Sequence, residues 1–119
     1  MAISMGQALI DLDHLDKYIA GDDALRDEIL SIFEDQVDSL LEGFAVDLSD
    51  DDWQSIAHKM KGASRGIGAW SVGDLCEKAE DMIGDNPEKL SERETLLTQV
   101  RSELIATTEE ARRIRDRVN

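Results

Sequence analysis

Residues 52–70, DWQSIAHKMKGASRGIGAW, repeat apolar positions with the period of an α-helix. On a helical wheel Trp53, Ile56, Ala57, Met60, Ala63, Ser64 and Ile67 share one side, the i, i+3, i+4, i+7 spacing of a core-facing stripe. His58 is off that stripe. At about 100° per residue it projects into a polar patch with Gln54, Lys61, Gly62 and Arg65. Gly62, one turn after His58, costs a helix interior roughly 1 kcal/mol relative to alanine, and no core contact is expected on that face to explain it. A bare backbone beside an exposed imidazole, with a lysine three residues on, points to a ring that a bulky partner must approach closely.

Working outward, the flanking segments are helical as well. Asp11–Ala20 reads as a short helix ending at Gly21. It holds His14, which has no partner set around it and is expected to be an ordinary surface or edge residue. From Asp22 to about residue 47 runs a long amphipathic helix. Leu25, Ile29, Ile32, Phe33, Val37, Leu40, Leu41 and Phe44 form its stripe, and Glu28, Glu34, Asp35, Asp38 and Glu42 are expected to face water. Ser49, with Asp52 three residues later, resembles a capping box that restarts the helix before Trp53. The acidic run there is not an EF-hand loop: counted from Asp47, the sixth and twelfth positions are Asp52 and His58, not glycine and glutamate.

Beyond the histidine segment, Gly66 and Gly68 predict a turn, and residues 69–83 form the next helix on Val72, Leu75, Cys76, Ala79, Met82 and Ile83. Cys76 is thereby a core residue rather than a reactive thiol. A last helix is expected to start with Asn86 as cap and Pro87 at its first position, or nearer Ser91. Its stripe is Leu97, Val100, Leu104, Ala111, Ile114 and Val118, and Arg112, Arg113, Arg115 and Arg117 sit where a helix C-terminus favours cations. The expected fold is all-α: an antiparallel four-helix bundle with a short extra N-terminal helix, forming one domain over residues 1–119.

Composition bounds the function. The chain has 119 residues, 41% of them hydrophobic, one proline, one cysteine and a formal charge of −14. Such acidity, without a basic stripe, argues against nucleic acid or an anionic membrane as partner. There is no signal peptide pattern and no apolar run approaching 18 residues, so a cytoplasmic protein is expected. The initiating Met and a helix running to the end suggest a free-standing protein. A bundle metal centre would need a Glu-x-x-His motif, which does not occur; no metal and no cofactor are expected.

The pattern His58, Lys61, Gly62, Ser64, Gly68 reads H-x-x-K-G-x-S-x-x-x-G. It resembles the signature of histidine-containing phosphotransfer (HPt) domains, helical carriers that exchange a phosphoryl group with receiver-domain aspartates. The likeness extends through LDKYIAGDDALRDEILSIF, DWQSIAHKMKGAS and GAWSVGDLCEKAE, roughly Leu12 to Ile83. The resemblance implies that His58 carries the phosphoryl group on Nε2, that Lys61 helps hold its oxygens, that Gly62 leaves space, and that Ser64 and Gly68 are structural. It also places Glu80 where the family has a side chain that accepts the other ring N–H; the alternative is an exposed acid paired with Lys61. Arg65 adds a second cation that either tunes phosphate stability or pairs with acidic groups, and Gln54 and Gly62 complete the binding face. The implied partners are a response-regulator receiver domain and a hybrid sensor histidine kinase, with Mg²⁺ belonging to the receiver and a monomer as the expected state. No ATP-binding motif is present, which makes the chain a phosphocarrier rather than a kinase. The competing functional reading is a four-helix adaptor that binds a signalling partner without phosphotransfer.

Overall fold

A computed structural model describes residues 8–116. Among them the chain forms α1 (Leu12–Ile19), α2 (Asp23–Glu42), α3 (Asp50–Gly66), α4 (Trp70–Glu80) and α5 (Lys89–Arg115), with no strand. Each start follows from local chemistry. The Asp11, Asp22 and Ser49 side chains accept the backbone N–H of His14, Leu25 and Asp52, so α1, α2 and α3 all begin on an N-cap. Helices α2 to α5 pack as a closed ring, α2 on α3, α3 on α4, α4 on α5 and α5 back on α2, which leaves α3 diagonally opposite α5. The α3–α4 contact is the most extensive. The expected four-helix bundle with a short helix before it is the fold observed.

The shared core holds Leu30, Phe33 and Val37 of α2, Trp53, Ala57 and Met60 of α3, Val72, Cys76 and Ala79 of α4, and Leu97, Val100 and Leu104 of α5. Helix α1 seats on the turn between α3 and α4. Gly68 adopts φ +81° there, its carbonyl accepts the Asp11 N–H at 3.0 Å, and Trp70 Nε1 donates to Asp11 Oδ2 at 2.9 Å. A Cβ at Gly68 would lie 2.8 Å from the Asp11 carbonyl oxygen, so both the backbone conformation and the close approach require glycine.

Several expectations need correction. Helix α2 stops at Glu42 rather than residue 47, because Gly43 ends it and Phe44 turns inward to meet the Trp53 ring, centroids 4.5 Å apart. Its buried stripe runs through Leu30 while Leu25 and Ile32 are exposed, a rotation of the expected face. Glu34, expected in water, is buried: Arg112 Nε donates to Oε1 at 3.1 Å and Arg115 Nη2 stands 2.7 Å from Oε2. The C-terminal arginines thus clamp α5 to α2 as well as answering the helix dipole. Helix α4 ends at Glu80, short of Ile83. Helix α5 begins at Lys89, between the two expected starts, after Asn86 Oδ1 accepts the Glu88 N–H in a turn around Pro87. Arg117 and Val118 lie outside the described residues.

One residue that periodicity does not reveal ties the site's end of the bundle together. Arg93 is 1% exposed; its guanidinium lies 4.4 Å from the Trp53 ring centroid and donates to the carbonyls of Met82, Val46 and Leu48 and to Asp50 Oδ1. It joins α5, both flanking loops and the first turn of α3. Arg93→Ala is expected to leave buried carbonyls unpaired and cost about 3 kcal/mol. Urea unfolding is the check: a loss under about 1 kcal/mol would show that water replaces the guanidinium at no great cost.

Candidate functional site

The long α3–α4 contact brings His58 and Glu80 together although they are far apart in sequence, and the reason is the end of α4. The last carbonyls of a helix have no intrahelical donor. Two side chains of α3 supply donors here. Trp53 Nε1 bonds to the Ala79 carbonyl at 2.7 Å, and Gln54 Nε2 bonds to the Glu80 carbonyl at 3.1 Å. One turn along α3, His58 therefore meets a fixed Glu80 side chain.

Glu80 serves two partners with its two oxygens. His58 Nδ1 lies 2.9 Å from Oε2, and Lys61 Nζ lies 2.8 Å from Oε1. Both contacts that the sequence suggests for Glu80, one with the ring and one with Lys61, are therefore present at once. Burial pushes the Glu80 carboxyl up, but the hydrogen bonds from Lys61 and His58 outweigh it and hold the group below the ordinary carboxylate range. With a depressed pKa, the stabilisation belongs to the ionised form; it is present at neutral pH and is lost as acid titrates the carboxylate. An ionised Glu80 can only accept, so a neutral His58 ring donates its proton from Nδ1 and keeps the lone pair on Nε2. The His58 side chain is 73% exposed, against 17% for Glu80 and 20% for Lys61. The ring therefore stands in solvent, with Glu80 and Lys61 half-buried behind it.

The other site residues fall into place on either side. Gly62 is exposed on α3, and a Cβ there would meet nothing within 4 Å, so no packing inside the chain demands glycine. Arg65 is not a free cation: its Nη2 lies 3.1 Å from Asp74 Oδ1 and 2.9 Å from Glu77 Oε1 on α4. Its side chain crosses Gly73, where a Cβ would come within 2.6 Å of Arg65 Cγ, so Gly73 is needed for the clasp. Gln54, expected on the binding face, is engaged with the α4 terminus. Ser64 is buried and structural in position.

An open cleft of about 640 Å³ borders the ring, lined by Gln54, Ser55, His58, Lys59, Lys61 and Glu80 among others. Lys59 and Ser55 were not singled out by sequence; they carry no periodic signal, and only the cleft shows them beside the histidine. The remaining reactive groups are elsewhere. His14 packs its ring edgewise on Trp70 at 4.8 Å and Tyr18 at 5.3 Å. Cys76 is buried, and desolvation pushes its thiol up to about 12, which keeps it protonated. Among the described residues no group of three or more His, Cys, Asp or Glu is arranged to hold a metal ion, and no helix is long and apolar enough to cross a membrane.

No characterised protein and no solved structure shows significant similarity to the chain. Residues 28–113 match the family model described as the Hpt domain, a span that contains His58, its partners and most of the bundle, and the chain therefore belongs to the family of histidine-containing phosphotransfer domains.

Proposed function

We propose that this chain is a phosphorelay intermediate in which His58 exchanges a phosphoryl group with aspartates of response-regulator receiver domains. The family supplies the general activity, histidine phosphotransfer in two-component signalling by carriers rather than enzymes. The observation that carries the assignment to His58 is the 2.9 Å contact of its Nδ1 with Glu80, on a ring that is otherwise largely exposed.

The Nε2 lone pair attacks phosphorus of the receiver's acyl phosphate in line, the N–P bond forms, and the aspartyl carboxylate leaves with the electron pair of the broken P–O bond. The proton stays on Nδ1, so the ring gains a positive charge next to ionised Glu80, which stabilises it where it develops. Lys61 secures Glu80 through the second oxygen. The return step runs the same bonds backwards, with the imidazole leaving. Mg²⁺ on the receiver answers the charge on the transferring oxygens, and no cofactor is required of this chain. A hybrid sensor kinase on one side and a regulator on the other are the partners this role calls for, met in the cytoplasm by a monomeric carrier.

Incubation with a phosphorylated cognate receiver is expected to give an acid-labile, alkali-stable modification of one phosphate per chain, at His58. His58→Gln is expected to abolish it with folding stability within about 0.5 kcal/mol of native, as for other exposed substitutions. Label persisting in that variant, or found on His14, would refute the assignment; a phosphate-independent complex with the receiver and no label at all would favour the adaptor reading. Gly62→Gln places a long side chain one turn from the ring on open surface. It is expected to slow transfer about 100-fold through misplacement of the reacting groups, while stability rises slightly on loss of a mid-helix glycine. Native transfer rates in that variant would show that the partner does not approach at Gly62.

A further inference from the structure

Three cations accompany His58 on the outer side of α3, and two are already engaged. Lys61 is held by Glu80 at 2.8 Å, and Arg65 by Asp74 and Glu77 at 3.1 and 2.9 Å. Lys59 differs. It is exposed, it lines the cleft that His58 opens into, and among the described residues its side chain makes no ion pair or hydrogen bond. At about 100° per residue, Lys59 projects to one side of the imidazole and Lys61 about 60° to the other, the side on which α4 lies. The charges of the cleft leave the same gap. Glu80 is answered by Lys61, while Asp51 and Asp81 also border the cleft and oppose any added anion. Lys61 already commits one of its three N–H donors to Glu80, the group that keeps the proton on Nδ1, whereas all three donors of Lys59 are unengaged.

We propose that Lys59 holds the phosphoryl oxygens once the group is on His58, and that Lys61 acts as a positioning residue through Glu80. The proposal rests on the assignment of His58 as acceptor. Lys59 carries a compact ammonium on a flexible four-carbon stem, which can swing to an anion on the neighbouring ring without breaking an existing bond. A contact made only in the phosphorylated state lowers the energy of that state relative to the free carrier. It therefore appears in the equilibrium distribution of phosphate between receiver and carrier, and not in rates alone.

The test measures that distribution from both directions, starting with labelled receiver and with labelled carrier, for the native chain, Lys59→Ala, Lys59→Arg and Arg101→Ala. Arg101 is exposed on α5, diagonally across the bundle from α3, and controls for loss of one positive charge from an acidic chain. Lys59→Ala is expected to shift the equilibrium toward the receiver by about two- to fivefold, the range of an exposed charge pair. Lys59→Arg and Arg101→Ala are expected to keep the native ratio. An unchanged ratio in Lys59→Ala overturns the proposal, and equal slowing in both directions at an unchanged ratio overturns it by making Lys59 a docking residue. In either result His58 is still labelled and the acceptor assignment stands; label that survives His58→Gln removes both.

Discussion

The hydrogen bond from the Trp53 indole to the Ala79 carbonyl is the constraint from which the site follows. Trp53 is fully buried, capped on one face by Arg93 and met by Phe44, so its N–H is aimed without rotational freedom at the last turn of α4. The bond itself contributes about 1 kcal/mol net, but the Ala79 carbonyl also accepts the Met82 N–H, so it is the indole N–H that would be left unpaired in the core, at a cost of about 1–3 kcal/mol. This asymmetry fixes the register of α3 against α4. Glu80 is the residue after Ala79, and His58 and Lys61 are about one and two turns after Trp53 and Gln54. A slip of one residue at the Trp53 contact would carry the carboxylate away from Nδ1.

The exposed site therefore rests on a buried scaffold, and the two are chemically distinct. Behind the ring the contacts are short, half-buried and charged, and an ionised Glu80 beside Nδ1 favours the proton on that nitrogen. In front of it are an open cleft and a glycine with free space above it, which leave room for a partner to come close. Gly73 and the Arg65 clasp show how far the internal pairing extends. A cation that the sequence places on the histidine face is paired with Asp74 and Glu77, and so helps to hold α3 on α4.

The amino-acid pattern made the site's centre legible because exposure and oddity coincide there. His58 sits off the stripe, Gly62 weakens a helix without a packing reason, and Ser49 and Asp22 mark helix starts through side-chain caps that act over three residues. Features decided by contacts between distant segments were not legible. Glu34 is an acidic residue in a helix, indistinguishable by periodicity from its solvated neighbours until α5 brings Arg112 and Arg115 to it. Arg93 likewise reads as a polar position of α5, and only the convergence of two loops on Trp53 makes it a core residue. The early end of α2 has a local cause in Gly43, but the larger pull is the burial of Phe44 against Trp53. Glu80 lay between: its proximity to His58 came from family resemblance, whereas its simultaneous hold on Lys61 required the geometry.

The central claim is that Glu80 fixes the proton of His58 on Nδ1 and leaves Nε2 free to take the phosphoryl group. Nitrogen-15 and proton correlation spectra of the imidazole rings, recorded on the uniformly labelled native chain above neutral pH and again after phosphorylation, test it most directly. The expected result is a His58 ring protonated at Nδ1 with an unprotonated Nε2, which becomes the phosphorus-bound nitrogen after transfer. A free ring protonated at Nε2, or a phosphoryl group on Nδ1, would contradict it.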